Sequence, residues 1–339
     1  MFLPESRKKG VVRARDGCYN SRRDADVRRA DAHAVFFGGR VRRKAQEENN
    51  VRTEQEMTGL ILRTAREDER IRAVWMNGSR ANPNARRDRY MDFDIVYAVT
   101  AVAPYRSREW LARFGEICVM QDPDVLLPEE DYLAGLRQTW LMQFMDGNRI
   151  DLTVLRLDEA ASRYGAESQT VLLLDKDSRY PPMEASDRDF WLTPPDAGCF
   201  AACCNEFWWV APYAAKGLAR AAENPGELLY ARRMLEECVR PQLDRMLGWR
   251  IGAEEGFSRS LGKCMKELPS YLSAEDWARY LETFPVCAAA PVARALRAAC
   301  GLFEENAARV AGAFGFAQNL TEARNSRAYI QNLISANAE

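Results

Sequence analysis

The sequence predicts an α+β protein, with a mixed sheet of about four to five strands in its first half and an all-helical second half. Three observations carry that expectation. Short apolar runs, some with two-residue alternation as in Asp92–Val99, recur between residues 70 and 155. Segments with helical spacing separate them. Past a proline-bearing loop, Pro181–Pro195, only helical periods remain. At 339 residues the chain can bury a core in each of two domains.

Taken in order, Met57, Leu60, Ile61, Leu62 and Ala65 share one face of a helix that ends near Asp68. Ala73-Val74-Trp75-Met76 reads as a short buried strand running into Asn77-Gly78-Ser79. Asp92–Val99, Gly115–Gln121 and Arg149–Leu155 read as three further strands, with helices around Arg108–Phe114 and Leu133–Met145. In the second half, helices are expected at Cys199–Arg220, Gly226–Gly248, Phe257–Leu268, Ala274–Thr283, Ala288–Phe314 and Thr321–Ala336. Pro212 and Pro241 lie inside two of these and predict kinks or breaks. The expected domains are therefore a sheet domain at 51–180 and a helical domain at 190–336.

Residues 1–50 differ from the rest. They hold 13 Lys/Arg against 7 Asp/Glu, whereas residues 51–339 hold 35 against 42. Beyond a short Ala-Val-Phe-Phe run they lack either period. This stretch reads as a basic, disordered or non-native extension. Gln46–Asn50 can be encoded by codons resembling a ribosome-binding site, and Val51 by a GTG start. A basic arm for nucleic acid is the competing reading; no nucleic-acid partner is expected.

Composition removes several classes. No apolar run approaches the roughly 18 residues that cross a bilayer, and the start lacks a signal core. A cytoplasmic, membrane-free protein is the expectation. The nine cysteines form no CxxC pair, and read as small buried hydrophobes. His33 is the only histidine, and it lies in the N-terminal stretch. Histidine bases, Ser-His-Asp triads and His-ligated zinc are thereby disfavoured. The chemistry must run on carboxylates, lysines, arginines and backbone donors.

Val74–Val99 supplies them. Asp92 and Asp94 are two apart on a strand, so their side chains leave one face. Paired carboxylates repel unless a cation lies between them, and hard oxygen ligands suit magnesium. Gly78-Ser79 follows a strand, where glycine lets backbone N–H groups approach an anion and the hydroxyl adds a donor. Arg80 offers a bidentate phosphate contact. Asp151, between Ile150 and Leu152, completes a three-carboxylate cluster if its strand neighbours the second. Such a cluster can hold two magnesium ions about 4 Å apart and clamp a phosphoryl transfer.

NGSRANPN, DFDIVY and RIDLTVL, with CCNEFWWV, AKGL, RPQL and GWRIGAEEGFSRSLGK in the helical half, resemble the aminoglycoside 6-adenylyltransferases of the nucleotidyltransferase superfamily. The resemblance runs from about Val51 to near the C-terminus. It implies transfer of AMP from ATP to a hydroxyl at the 6-position of streptomycin's streptidine ring, releasing pyrophosphate and conferring antibiotic resistance. Asp92, Asp94 and Asp151 match its metal positions, and Gly78, Ser79 and Arg80 its phosphate-holding turn. Glu206 is the candidate general base, and Lys216 is placed to reach the ATP phosphates. Pro212 departs from the family's pattern beside them. Trp208 and Trp209 are expected to serve packing. Asp122, Asp124, Glu129, Glu130 and Asp131 are an acidic stretch suited to lining a pocket for a guanidinium-bearing acceptor. A monomer is favoured. The alternatives are another aminoglycoside, a macromolecular acceptor, or a silent ATP-binding module.

Overall fold

The structure is a computed structural model and describes residues 51–126 and 135–335. Residues 1–50, with His33 and the proposed boundary codons, lie outside the described residues, as do Glu129, Glu130 and Asp131.

Helix α1 (Glu54–Glu67) starts at a reciprocal cap: the Thr53 hydroxyl accepts from Glu56 N, and the Glu56 carboxylate accepts from Thr53 N at 2.7 Å. Its buried face, Met57, Ile61 and Ala65, lies against a six-stranded sheet. The strands are β1 (Ile71–Asn77), β2 (Phe93–Val99), β3 (Ile117–Gln121), β4 (Arg137–Phe144), β5 (Arg149–Arg156) and β6 (Thr170–Asp175). Their order is β3-β4-β5-β2-β1-β6. Every pairing is antiparallel except β2 with β5. Short helices α2 (Gly78–Ala81), α3 (Arg108–Leu111) and α4 (Leu157–Arg163) connect the strands. Trp110, Tyr105 and Phe114 join α1 in covering one face, while Tyr164 and Tyr180 close over Trp75 on the other.

Two strands exceed the sequence expectation. The helix expected at Leu133–Met145 is instead β4, in which Gln138, Trp140, Met142 and Phe144 alternate inward. Buried Gln138 breaks the apolar pattern that would have marked a strand. At the other edge, β6 carries a continuous Val-Leu-Leu-Leu run with no alternation to read.

The second half comprises α5 (Ala197–Arg220), α6 (Gly226–Arg233), a π-turn at Met234–Val239, α7 (Arg240–Glu254), α8 (Ala274–Leu281), α9 (Ala289–Phe314) and α10 (Leu320–Ser335). Its core is a separate apolar cluster in which the Phe207 and Phe303 rings stack 3.8 Å apart at 7°. Cys203 and Cys300 belong to it, and burial pushes both thiols up to about 12. Neither proline breaks its helix. Pro212 removes the hydrogen bond that Trp208 O would otherwise accept, and the Ser326 hydroxyl of α10 donates to that carbonyl at 2.7 Å. Ahead of Pro241, the π-turn absorbs the change in hydrogen bonding. The helix expected at Phe257–Leu268 is a loop with two 3-10 turns, Lys263–Met265 and Leu268–Ser270. Left-handed backbone at Gly256, Phe257, Gly262, Cys264 and Met265 interrupts it. Among the described residues no helix is long and apolar enough to cross a membrane.

Replacing Phe303 by alanine empties the centre of the helical core. The unfolding free energy should fall by roughly 3–5 kcal/mol, read from the denaturant midpoint followed by circular dichroism. A change below about 1 kcal/mol would mean the stacked pair is not a packed core.

Candidate active site

The parallel register of β2 and β5 sets Asp94 directly beside Asp151, and the antiparallel register of β1 and β2 sets Asn77 beside Asp94. Three polar side chains thus sit in one row across the ends of three adjacent strands. Asn77 Oδ1 accepts from the Thr170 hydroxyl at 2.9 Å, tying the row to β6. Asp92 lies just before β2 and is half-buried.

The turn at Gly78 lies on Asp94. Gly78 has φ +71°, and a Cβ there would come within 2.1 Å of Asp94 Oδ2. Only glycine permits both the left-handed backbone and this approach. Ser79 follows it, half-buried in α2.

Arg80 departs from the role expected of it. Its side chain is buried: Nε donates to Asp92 O at 3.1 Å, Nη2 to Met91 O at 2.8 Å, and Nη1 pairs with Glu54 at 2.8 Å. The guanidinium also lies 3.9 Å from the Phe93 ring centroid. All three nitrogens are committed to protein groups, so Arg80 positions the backbone leading into β2 and offers no fork to a phosphate.

Arg149 takes the place of a cation at the carboxylates. It stands two residues before Asp151, on the same face of β5, and donates to both Asp151 oxygens at 2.7 and 2.8 Å. The same Nε is 3.6 Å from Asp92 Oδ2. Lys263, from the loop after α7, is a further positive charge acting on Asp92. The one local trace in the sequence was Arg-x-Asp on a strand, which gains its meaning only once the fold sets Asp92 opposite it.

These cations do not neutralise the site. Burial, then Asp151, Asp92 and Glu167, push Asp94 up to about 6, and burial raises Asp92 despite Arg149. Among the described residues no three carboxylates converge on one point as a ready metal site. The donor set nevertheless fits a divalent ion: Asp94 is largely buried beside Asp151 and Asp92, so a cation there would favour its ionised form. Magnesium is ordinarily held by one or two carboxylates together with phosphate and water.

The remaining expected residues lie on α5. Glu206 is exposed, and its charge is felt by Cys238 on the π-turn. The Lys216 ammonium lies over the rings of Tyr213 and Tyr329, 5.4 and 5.7 Å from their centroids. It lines a groove of about 470 Å³ between α5 and α10. Trp208 packs on Phe207 and Phe303, whereas Trp209 is 64% exposed. The acidic stretch is corrected in part. Asp124 is buried, accepting from Arg137 and from Thr139 N, and so anchors β4 instead of lining a pocket.

A glycine turn resting on neighbouring strand-end carboxylates is the central feature of the site. The comparisons give the particular family. A family model described as streptomycin adenylyltransferase matches residues 51–333. An aminoglycoside 6-adenylyltransferase of Bacillus subtilis (strain 168) is 40% identical over 242 residues, covering 70% of this chain and 82% of the relative. One from Campylobacter jejuni is 36% identical over 264 residues, covering 77% and 89%. A crystal structure of an aminoglycoside 6-adenyltransferase from Bacillus subtilis covers 83% of this chain and 98% of its own, at 33% identity and a TM-score of 0.41. On the sequence matches, this chain belongs to the streptomycin adenylyltransferase family.

Two outcomes follow from the geometry. In metal-free protein, native Asp94 keeps its proton to about pH 6, whereas the unfolded chain releases it near 3.8, so stability falls as pH rises between those values. Asp94→Asn should therefore raise metal-free stability above pH 6 by up to about 3 kcal/mol, and leave it unchanged below pH 3.8. No gain at pH 7 would contradict the excess charge. Gly78→Ala should leave the circular dichroism intact yet cut turnover at least about a hundredfold, because misplacing a reacting group by 1 Å costs that much. Wild-type turnover in this variant would remove the turn from the site.

Proposed function

We propose that this chain transfers AMP from ATP to the 6-hydroxyl of streptomycin, releasing pyrophosphate with magnesium at the strand-end carboxylates. The observation that carries the reading is the Asp94–Asp151 register pair beneath the Gly78 turn. A turn in that place brings backbone donors and the Ser79 hydroxyl to a triphosphate. Asp92, Asp94 and Asp151 would hold magnesium there, two ions being the number that three carboxylates and a phosphate can share. The metal supplies charge neutralisation at the attacked phosphate and at the leaving pyrophosphate.

A carboxylate can take the acceptor proton, and Glu206 on α5 is the proposed base. The phosphate role expected of Lys216 passes better to Lys263. The first is held over two aromatic rings, while the second already acts on Asp92. Streptomycin's guanidinium groups favour a site with spare acidic charge, and the net −7 of residues 51–339 agrees with that.

Mass spectrometry of streptomycin incubated with the protein, ATP and magnesium should reveal one added AMP, located by fragmentation on the streptidine ring. Asp94→Asn should lower pyrophosphate release at least about a thousandfold. A product formed only with spectinomycin would refute the acceptor. Undiminished turnover in the aspartate variant would refute the metal site.

A further inference from the structure

Arg149 has no part in the transfer as described above, yet it is the cation closest to the metal positions. Its two bonds to Asp151 occupy both oxygens of that carboxylate, and its Nε lies 3.6 Å from Asp92. While these contacts last, each Asp151 oxygen already accepts from the guanidinium. The absence of three converging carboxylates among the described residues is consistent with this.

The arginine is also free to leave. Its side chain is 37% exposed, and it begins β5 immediately after a tight turn in which Gly147 N donates to Phe144 O at 3.1 Å. Among the described residues its side chain donates to the Asp151 carboxylate, with Asp92 beside it. Asp94 is paired in register with Asp151 and stands two residues from Asp92, and like charges this near call for a counter-charge. A divalent ion and a guanidinium on the same carboxylate would repel one another. A planar guanidinium fork matches phosphate oxygens as well as it matches a carboxylate.

We infer that Arg149 is the exchangeable counter-ion of the metal site. In nucleotide-free protein it occupies Asp151, and on arrival of the metal–nucleotide complex it gives up that carboxylate and pairs with the phosphates. This rests on the metal-site reading proposed above. Arg149 is thus a positioning residue for the resting site and a ligand of the nucleotide in the loaded one. The exchange keeps the carboxylates compensated in both states and makes metal binding depend on nucleotide.

The test is the binding of Mn²⁺ alone to the full chain, followed by the paramagnetic resonance of the free ion, without and with a non-hydrolysable ATP analogue. Arg149→Gln should bind nucleotide-free Mn²⁺ roughly tenfold more tightly than wild type, because the competing ion pair lowers the fraction of open sites. Arg149→Lys keeps the charge without the fork, and should also bind more tightly. With the analogue present the order should reverse, wild type binding best. The inference is overturned if neither variant gains nucleotide-free affinity. It is also overturned if only the glutamine variant gains, which would reflect lost charge alone, or if the order does not reverse. Failure of the metal-site reading looks different: wild type would bind no Mn²⁺ even with the analogue, or Asp94→Asn would bind it equally well.

Discussion

One parallel strand pair in an otherwise antiparallel sheet sets the conditions for everything around it. Because β2 and β5 run in the same direction, their starts meet, and two acids that are 57 positions apart in sequence become neighbours. Such proximity is costly in the absence of a counter-charge. The surroundings can be understood as responses to that cost. The Gly78 turn rests on Asp94, Arg149 holds Asp151, and the charge of Lys263 favours the ionised form of Asp92. Arg80 fixes the two carbonyls that lead into β2. Even so, burial and its acidic neighbours keep Asp94 raised to about 6.

The helical half contributes rigidity of a different sort. Helix α5 runs through Pro212 because a neighbouring helix, through Ser326, satisfies the carbonyl that the proline leaves without a partner. The α6–α7 pair likewise passes Pro241 by widening one turn. By contrast, the loop after α7 takes left-handed backbone at Cys264 and Met265, next to the lysine that acts on the carboxylates. Non-glycine residues in that region are strained, and surrounding structure must hold them there. The lysine whose charge acts on Asp92 thus sits on this irregular segment and not on a long helix.

Legibility in the sequence followed the strength of the local signal. Period and spacing revealed α1, β1, β2, β5 and most long helices, and the Asp-x-Asp pair was visible because strand alternation needs only neighbouring residues. What failed was context. β4 was hidden by buried Gln138 within a segment that also fits a helix, and the loop at Phe257–Leu268 by apolar residues at helical spacing. Arg80 was misread because its carbonyl partners, Met91 and Asp92, are brought to it only by the fold. Arg149 and Lys263 passed unnoticed for the same reason: basic residues acquire meaning from the acids that tertiary structure sets opposite them. The family resemblance, by comparison, rested on blocks in both halves and needed no geometry.

The first described residues are bound into this arrangement more tightly than their position suggests. Arg52 donates to the Phe114 carbonyl and pairs with Asp146 at 2.6 Å, in the turn that launches β5. Two positions later, Glu54 pairs with Arg80, the residue that braces β2. Both carboxylate-bearing strands are therefore moored, through single side chains, to a stretch of three residues. Affinity handles, fusion partners or immobilisation chemistry attached immediately ahead of Thr53 would pull on the starts of β2 and β5, whereas the same attachments beyond α10 would pull on a helix packed against α5.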